Sequence, residues 1–349
     1  MRSFEAGVPL LASVPADVAR ALADADVGRG LEGLHVAQLP GLLEQLALRA
    51  RVQSVKASSA LEGVVVADDQ RADRIIAGAA SRLRGCSEQE LAGYREALDY
   101  VWQDDWRPLN VGLVLHLHRL LYSHTATPGG AFKTEDNLLV DRSPDGRQSV
   151  RFHPVSARLT PGATEELVAR YNHERRLDRH HPLLLVGLAV LDLLVIHPFE
   201  DGNGRVARVL TNALLAEIGY GVARYVSLEQ LIAESADDYY ATLLASTHGW
   251  HDSAHDPWPW LRYVVGLLSR AYALFGQRAA SAGSGGGKRE RVKRYVLDQA
   301  PQRFRIADVR LALPGISDGT IRNALDDLRA EGRVAVDGPG RGASWSRRE

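Results

Sequence analysis

The side chains best suited to chemistry lie together in one stretch, residues 197–208, with the sequence HPFEDGNGRVAR. His197 is the group in this stretch that can accept a proton near pH 7. The Gly-Asn-Gly run at 202–204 favours a tight turn, because glycine adopts left-handed backbone conformations freely. Arg205 and Arg208 lie three residues apart and offer bidentate contacts to phosphate oxygens. A proton acceptor beside two arginines indicates chemistry on a phosphorylated substrate.

Two helices must hold this stretch in place. The apolar run 183–196 predicts a buried helix that ends near Pro198, because proline disfavours helical geometry in the residue before it. A second helix is expected to begin at about Gly204, and the first amides of a helix form an anion site. Asp201 adds a hard carboxylate ligand for Mg²⁺ beside that site. These groups suit attack of a hydroxyl on a nucleotide phosphate.

The composition is that of an ordinary globular protein. The chain has 349 residues, a net charge of -1 and 45% hydrophobic residues, so its overall balance favours neither a nucleic-acid nor a membrane partner. The single cysteine, Cys86, excludes an intramolecular disulfide and a cysteine-rich zinc site, which fits a reducing compartment. The start of the chain does not resemble a signal peptide, and the apolar run 183–196 is too short to span a membrane. We therefore expect a cytoplasmic protein.

Most of the chain has the apolar periodicity of α-helices. Predicted helices cover residues 40–57, 68–80, 87–103, 110–122, 161–177, 182–196, 204–218, 227–246 and 257–280. Between them, residues 127–154 contain two short alternating segments around a turn at 143–146, which predicts a β-hairpin. The expected fold class is mainly α. Its expected parts are an N-terminal helical region 1–105, a core 106–279, a linker 280–287 and a C-terminal domain 288–349.

The C-terminal domain differs from the rest of the chain in charge. Residues 288–349 contain 14 Lys and Arg against 9 Asp and Glu, a net charge of about +5. Three predicted helices followed by a small hairpin are typical of a winged helix-turn-helix. Candidate DNA contacts are Arg322, Arg329, Arg333 and Arg341. Acidic residues on the third helix oppose phosphate binding, so a target-recruitment or dimerisation module stays open as the alternative.

The stretch 197–208 resembles the Fic family. The family signature H-P-F-x-[DE]-G-N-G-R-x-x-R matches these residues at every fixed position. Residues 117–140 are similar to the family's helix and flap entry, with Lys133 where arginine is usual. Residues 237–244 resemble the segment that bounds the nucleotide pocket. The resemblance covers roughly residues 30–275 and implies a helical Fic core with a β-hairpin flap.

What the resemblance implies is transfer of AMP from ATP to a Ser, Thr or Tyr hydroxyl of a target protein or of the chain itself. His197 would deprotonate the hydroxyl, and Asp201 would hold Mg²⁺ (or Mn²⁺) on the phosphates. The implied phosphate and nucleotide contacts are Gly202, Asn203, Gly204, Arg205, Arg208 and Tyr240. The flap, at about residues 131–140, would align the target by strand addition. Its implied docking residues are Phe132, Lys133, Asn137, Leu138 and Leu139.

A second motif lies upstream, in SSALEG at residues 58–63. Taken alone, Ser58 suits a helix cap and Glu62 a solvated charge. Relatives in the family, however, carry an inhibitory helix with the pattern [ST]-x-x-x-E-[GN], which Ser58, Glu62 and Gly63 match. The resemblance implies an ion pair of Glu62 with Arg208, where the γ-phosphate of ATP should dock. In some relatives the same glutamate positions a water for the reverse reaction, and the sequence leaves the direction open.

Two further functions stay open. A DNA-binding regulator would use the Fic core as a nucleotide sensor, and a related enzyme would use another nucleotide donor. The presence of both His197 and Asp201 favours an enzyme over a sensor. The expected partners are ATP and a target protein, and a homodimer and DNA stay open as additional partners. His116 and His118 are expected to be packing residues only.

Overall fold

The computed structural model describes residues 1–38, 40–103, 106–142, 148–283, 288–338 and 344–348. Fifteen helices lie in these ranges: α1 (Arg2–Leu10), α2 (Ala16–Gln38), α3 (Pro40–Leu61), α4 (Asp69–Ile76), α5 (Cys86–Val101), α6 (Val111–Leu121), α7 (Thr160–Leu177), α8 (Pro182–Ile196), α9 (Asn203–Glu217), α10 (Leu228–Glu234), α11 (Ala236–Thr247), α12 (Trp258–Gly283), α13 (Lys288–Asp298), α14 (Ile306–Ala312) and α15 (Asp318–Ala330). The strands there are β1 (Leu139–Arg142), β2 (Gln148–Phe152), β3 (Arg303–Arg305), β4 (Val334–Asp337) and β5 (Ser344–Arg347). The fold is mainly helical, as predicted.

The chain divides into two compact units. The first contains Met1–Arg29, Arg51–Ala223 and Ser227–Tyr272, and the second contains Gly30–Ala50, Arg224–Val226 and Ala273–Glu349. The four-part division by sequence stays a prediction. Within the part of the chain that is described, no helix combines the length and apolar character needed to cross a membrane.

Helix α8 is the centre of the first unit. Every residue from Leu183 to Ile196 is buried, because the apolar run gives the helix no polar face. Pro182 occupies its first turn, where a missing backbone N–H costs nothing, and the His181 side chain accepts a hydrogen bond from Leu183 N. The helix packs against α1, α7, α9 and α11. Its bounds are those predicted from the sequence, so the end of α8 is fixed in the core beside the Fic-like motif.

The predicted hairpin is formed by β1 and β2, which pair antiparallel with Leu139 opposite Phe152. The turn predicted at 143–146 lies outside the described residues. The single helix predicted over 227–246 is two helices, α10 and α11, with Ser235 between them at φ -130°. The Ser235 hydroxyl donates to Leu231 O at 2.9 Å, so a polar residue ends α10 within a continuous apolar pattern.

The second unit has its own hydrophobic core. Strands β3, β5 and β4 form an antiparallel sheet in that spatial order. Helices α13 and α14 pack against α15. The core side chains include Val292, Phe304, Leu325 and Trp345. The predicted linker 280–287 is helical as far as Gly283, because its alanines sustain α12, and residues 284–287 lie outside the described part.

Candidate active site

His197 follows the last residue of α8 and adopts a left-handed conformation, with φ 52° and ψ 62°. Its backbone N–H donates to Leu193 O at 3.0 Å, and its Nδ1 lies 3.3 Å from Leu194 O. Because a carbonyl only accepts, Nδ1 carries the proton and Nε2 keeps its lone pair. Burial, helped by the positive charge of Lys133, lowers the pKa of His197 to about 4. His197 is therefore a neutral proton acceptor at pH 7.

The beginning of α9 provides the anion site. Gly202 precedes the helix with φ 78°, and a Cβ there would lie 3.1 Å from the Tyr122 ring, so the position requires glycine. The first bond along this turn joins Val206 N to Gly202 O. The amides of Asn203 and Gly204 precede that bond and have no partner within the helix. An anion at this end of α9 meets both the amides and the positive end of the helix dipole.

The side chain of Asn203 holds the loop closed rather than facing a ligand. Its Oδ1 accepts from Phe199 N at 2.9 Å, and its Nδ2 donates to Phe199 O at 2.8 Å. Both ends of the amide are thus used by one backbone unit. Of the phosphate contacts expected at Asn203, the backbone N–H is the one that this arrangement leaves available.

Arg205 also differs from the expected phosphate contact. The residue is 2% exposed, and its guanidinium donates to Glu90, to the Tyr122 hydroxyl at 3.0 Å and to Asp201 Oδ2 at 3.2 Å. These partners hold the guanidinium within a buried cluster behind the loop. Arg205 therefore orients Asp201, and the residues that line the pocket beside Arg208 do not include it.

Asp201 is the candidate metal ligand. Its Oδ2 accepts from the Tyr122 hydroxyl at 2.6 Å as well as from Arg205, and the residue is exposed. Burial of the carboxyl group favours the protonated acid, but Tyr122, the Gly202 N–H and the Arg205 charge hold the pKa of Asp201 below its ordinary value. Asp201 is therefore an oriented carboxylate at pH 7, which is the ligand that Mg²⁺ prefers.

The structure adds His118 and Tyr122, whose roles the sequence did not predict. The His118 ring stacks on Phe199, with centroids 3.8 Å apart, so the packing expected for it is present. His118 Nδ1 also accepts from Gly130 N at 2.8 Å, which leaves its Nε2–H to donate to Asp201 O at 3.2 Å. Burial lowers the pKa of His118 to about 4, so the ring stays neutral. Its spacing of four residues from Tyr122, on one face of α6, is the only sequence signal that links the two.

Arg208 lies on α9, one turn after Gly204, and contacts the SSALEG motif. The residue is 4% exposed. Its Nε donates to Ser58 Oγ at 2.8 Å, and one terminal nitrogen donates to Ser58 O at 3.1 Å and to Glu62 Oε1 at 2.7 Å. Burial opposes the charged guanidinium, but the Glu62 carboxylate together with Tyr239 and Tyr94 raises the pKa of Arg208. The ion pair anticipated from the motif is therefore formed, and Ser58 strengthens it.

The Glu62 carboxylate also covers the beginning of α9. A Cβ added to Gly204 would lie 2.2 Å from Glu62 Oε1, so the carboxylate rests directly on this residue. Helix α3 ends at Leu61, and Gly63 turns the chain away with φ 75°. Glu62 thus occupies the place where a phosphate would meet both Arg208 and the α9 amides. Two anions cannot share that place without strong repulsion.

Glu62, His197, Gly204 and Arg208 line one open pocket of about 130 Å³. Its walls are Glu62, Phe152, Leu194, His197, Gly204, Arg208, Tyr239, Tyr240, Leu243, Leu244 and Thr247. The polar floor comes from the ends of α8 and α9, and the largely apolar wall comes from α11. Tyr240 lies in that wall, where the resemblance placed it. An apolar wall beside an anion site suits a nucleotide, with the base against α11 and the phosphates at α9.

The flap residues divide into two groups. Lys133 donates to the backbone carbonyl of Ile196, and Asn137 donates to that of Phe199. The Phe132 ring lies 6.4 Å from the Phe199 ring. Leu138 is 54% exposed. Leu139 begins β1 opposite Phe152, and its side chain lies outside the described part. The first group fixes the flap, and the second lies along its free edge.

The fold and the pocket define a helical protein in which the loop between two helices presents backbone amides that suit an anion. Residues 108–215 match the model of the Fic/DOC family, so this segment is similar to that family. The chain is 28% identical over 192 residues to a protein of Drosophila grimshawi named protein adenylyltransferase Fic, an alignment that covers 53% of this chain and 34% of that protein. This chain thus spans about a third of the length of that relative.

Two solved structures share the fold. A Fic family protein from Desulfovibrio desulfuricans superposes with a TM-score of 0.62 at 17% sequence identity, over 96% of this chain and 97% of that one. A signalling protein with a Fic domain from Bacteroides thetaiotaomicron superposes with a TM-score of 0.59 at 21% identity, over 77% of this chain and 98% of that one. At these identities the likeness concerns the fold alone.

Proposed function

We propose that this protein transfers AMP from ATP to a Ser, Thr or Tyr hydroxyl of a target protein or of itself. The observation that carries the proposal is the meeting of His197, the beginning of α9 and the apolar wall of α11 in one pocket. The Drosophila relative is named a protein adenylyltransferase, and this name supports the same reaction. The target protein supplies the attacking hydroxyl, and the open edge of β1 is the surface on which it would align.

The proposed chemistry needs one base and one anion site. His197 Nε2 takes the proton of the target hydroxyl while its oxygen attacks the α-phosphorus of ATP. The new bond joins that oxygen to the α-phosphorus, and the bond from the α-phosphorus to the bridging oxygen breaks, so pyrophosphate leaves. The α9 amides and Arg208 stabilise the phosphate charge. The bound polyphosphate also raises the pKa of His197, which makes it a stronger base once ATP is present.

Asp201 is the residue that would hold Mg²⁺ or Mn²⁺. It fits because Tyr122 and Arg205 orient a carboxylate that stays exposed beside the anion site. Magnesium is commonly held by one or two carboxylates together with substrate phosphates. When bound, the ion supplies neutralisation of phosphate charge, and the protein supplies its position.

We further propose that Glu62 inhibits the reaction in cis. Its carboxylate occupies Arg208 and rests on Gly204, so it competes with the γ-phosphate of ATP for the same donors. ATP could then bind only weakly or in an unproductive pose. Glu62 is 31% exposed, whereas Arg208 is buried, so the glutamate is the partner that can move away. Its removal should therefore raise AMP transfer.

One experiment tests both proposals. The wild type, Glu62→Gly and His197→Ala are incubated with α-labelled ATP and Mg²⁺, and the products are analysed by mass spectrometry. We expect an AMP adduct on the first two, more on Glu62→Gly, and none on His197→Ala although ATP still binds. Undiminished labelling by His197→Ala would remove the general-base role. Equal labelling by wild type and Glu62→Gly over a range of ATP concentrations would remove the inhibitory role.

Removal of AMP is a second candidate activity that the position of Glu62 favours. A carboxylate that lines the pocket together with His197 can orient a water toward the phosphorus of an AMP-modified side chain. Incubation of a purified adenylylated target with wild type and Glu62→Gln distinguishes the two directions. Loss of the adduct with wild type alone would assign the hydrolytic role to Glu62.

We infer that residues 288–348 form a winged helix. The inference is supported by the order α13, β3, α14, α15, β4, β5 and by the small sheet. Among its acidic residues, Asp318 pairs with Arg310 and Asp327 with Arg289, so part of the positive charge is already used. Arg341 lies outside the described residues. This pairing favours a recruitment module over DNA binding, and a salt-dependent gel shift of the full chain against its truncation at residue 287 tests the choice.

A further inference from the structure

The base of the flap is attached to the catalytic loop by one lysine. We call residues 132–138 the flap stem. The backbone N–H of Lys133 donates to Pro198 O at 2.9 Å, and its Nζ donates to Ile196 O at 3.2 Å. These two carbonyls belong to the residues on either side of His197. Lys133 therefore holds the backbone of His197 from both neighbours.

Other side chains of the flap stem extend this attachment. Lys133 Nζ also donates to Asn137 Oδ1 at 2.9 Å, and Asn137 Nδ2 donates to Phe199 O at 3.1 Å. The Thr134 hydroxyl donates to Glu200 Oε1 at 3.1 Å. The flap stem thus contacts Ile196, Pro198, Phe199 and Glu200. Lys133 is the only contact of this set that brings a positive charge.

That charge lies in a dry environment close to His197. Lys133 is 4% exposed, and burial lowers its pKa to about 8, against the opposing effect of Asp136. Lys133 is therefore still mostly charged at pH 7. Four other features act on the pKa of His197: burial lowers it, and the Leu194 carbonyl, the Glu62 carboxylate and the Asp201 carboxylate raise it. Lys133 is the cation that opposes these two carboxylates.

We propose that Lys133 is a positioning residue for His197, which fixes the catalytic base against the flap stem and places an ammonium group beside the imidazole. The proposal rests on the proposed function, because it takes His197 as the base. It couples two steps that would otherwise be independent. A flap that moves away releases the backbone of the base, so the base is held in position only when the flap that aligns the target is in place.

The test measures the protonation of His197 directly and does not depend on activity. The protein is labelled with ¹⁵N-histidine, the His197 signal is assigned by its loss in His197→Ala, and its titration is followed by NMR. We expect Lys133→Met to move the midpoint upward by roughly one pH unit. Lys133→Arg, which keeps the charge, should stay close to wild type. Thr134→Val is the matched control from the same flap stem, and its midpoint should not move.

A second readout follows activity in the Glu62→Gly background. Lys133→Met should lower kcat more than it raises the KM for ATP, with the largest loss on the acid side of the pH profile, and Lys133→Arg should restore most of the rate. If the chain transfers no AMP, this readout fails together with the proposed function, while the NMR titration still decides the role of Lys133.

Two other outcomes would contradict the proposed role of Lys133. An unchanged His197 midpoint in a folded Lys133→Met protein would overturn the electrostatic role. Lys133→Gln, which loses the charge but keeps polar atoms, serves if Lys133→Met does not fold. Loss of the folded state in both neutral variants would assign Lys133 to stability alone and overturn the proposal.

Discussion

Arg205 and Arg208 stand three residues apart on the same helix, yet their surroundings differ. Arg205 contacts Glu90, Tyr122 and Asp201. Glu90 lies on α5, Tyr122 directly follows α6, and Asp201 lies in the loop before α9. Arg208 is held by Ser58 and Glu62, at the end of α3. The first set comes from three separate elements around a buried guanidinium, with Tyr122 buried and Glu90 partly buried. The second ends in a carboxylate that faces the open pocket.

Under the proposed inhibition by Glu62, this difference would give one motif both a fixed and an exchangeable cation. A guanidinium with partners from several packed helices cannot release them without disturbing the core. A guanidinium whose anionic partner follows the end of one helix can exchange that partner for another anion, because the turn at Gly63 opens toward solvent. We therefore assign Arg205 to the construction of the loop and Arg208 to the exchange between Glu62 and a phosphate.

Substitution of Arg205 should have the largest effect on stability. Arg205→Met removes a buried guanidinium, leaves the largely buried Glu90 carboxylate and the Tyr122 hydroxyl without their partner, and should lower the free energy of unfolding by about 2–4 kcal/mol. Arg208→Met should cost less, because Glu62 can turn to water. Chemical denaturation of both variants measures the difference. A larger loss in Arg208→Met would reverse the comparison.

Tyr122→Phe tests the same cluster more gently. The change removes one hydroxyl, which bridges Asp201 and Arg205, and should cost about 1.5–3 kcal/mol because both partners are charged. The variant should also need more Mg²⁺ for half-maximal nucleotide binding, since Asp201 loses an orienting donor. Calorimetric titration of ATP at several Mg²⁺ concentrations provides the measurement. An unchanged Mg²⁺ requirement would separate Tyr122 from the metal site.

At the exchangeable cation, Glu62→Gln should change binding rather than stability. The neutral side chain holds Arg208 less strongly, so ATP should bind about tenfold more tightly, which corresponds to about 1.4 kcal/mol. The free energy of unfolding should change by less than about 1 kcal/mol, because Glu62 is partly exposed. Glu234→Gln, which removes a surface partner of Arg270, is the matched control and should leave ATP affinity as it is. An equal gain in the control would argue against a specific competition.

Ser58→Ala should have the smallest effect of the series. Arg208 Nε loses its acceptor at 2.8 Å but keeps Ser58 O and Glu62, so the expected cost in stability is about 1 kcal/mol. The change in ATP affinity should be smaller than that of Glu62→Gln. If Ser58→Ala changes the ATP affinity more than Glu62→Gln does, Ser58 and not the charge of Glu62 is the main determinant of how Arg208 is held.

The sequence by itself determined the local framework of the site. The apolar run with Pro182 at one end and Pro198 just beyond the other predicts α8 with its observed bounds, because both signals act within a few residues. The Gly-Asn-Gly turn likewise predicts the beginning of α9 to within one residue. The break between α10 and α11 could not be predicted, since the apolar pattern continues through Ser235.

Only the tertiary structure decided which side chains hold which. Glu90, His118 and Lys133 are separated from their partners by 115, 83 and 63 positions in the chain, and helix packing brings them together. The sequence showed two arginines three residues apart, and it predicted phosphate contacts for both. Their different roles depend on what lies on each face of α9, and a face is defined by the helices packed against it. For that physical reason the fixed and the exchangeable cation can be told apart only in the folded protein.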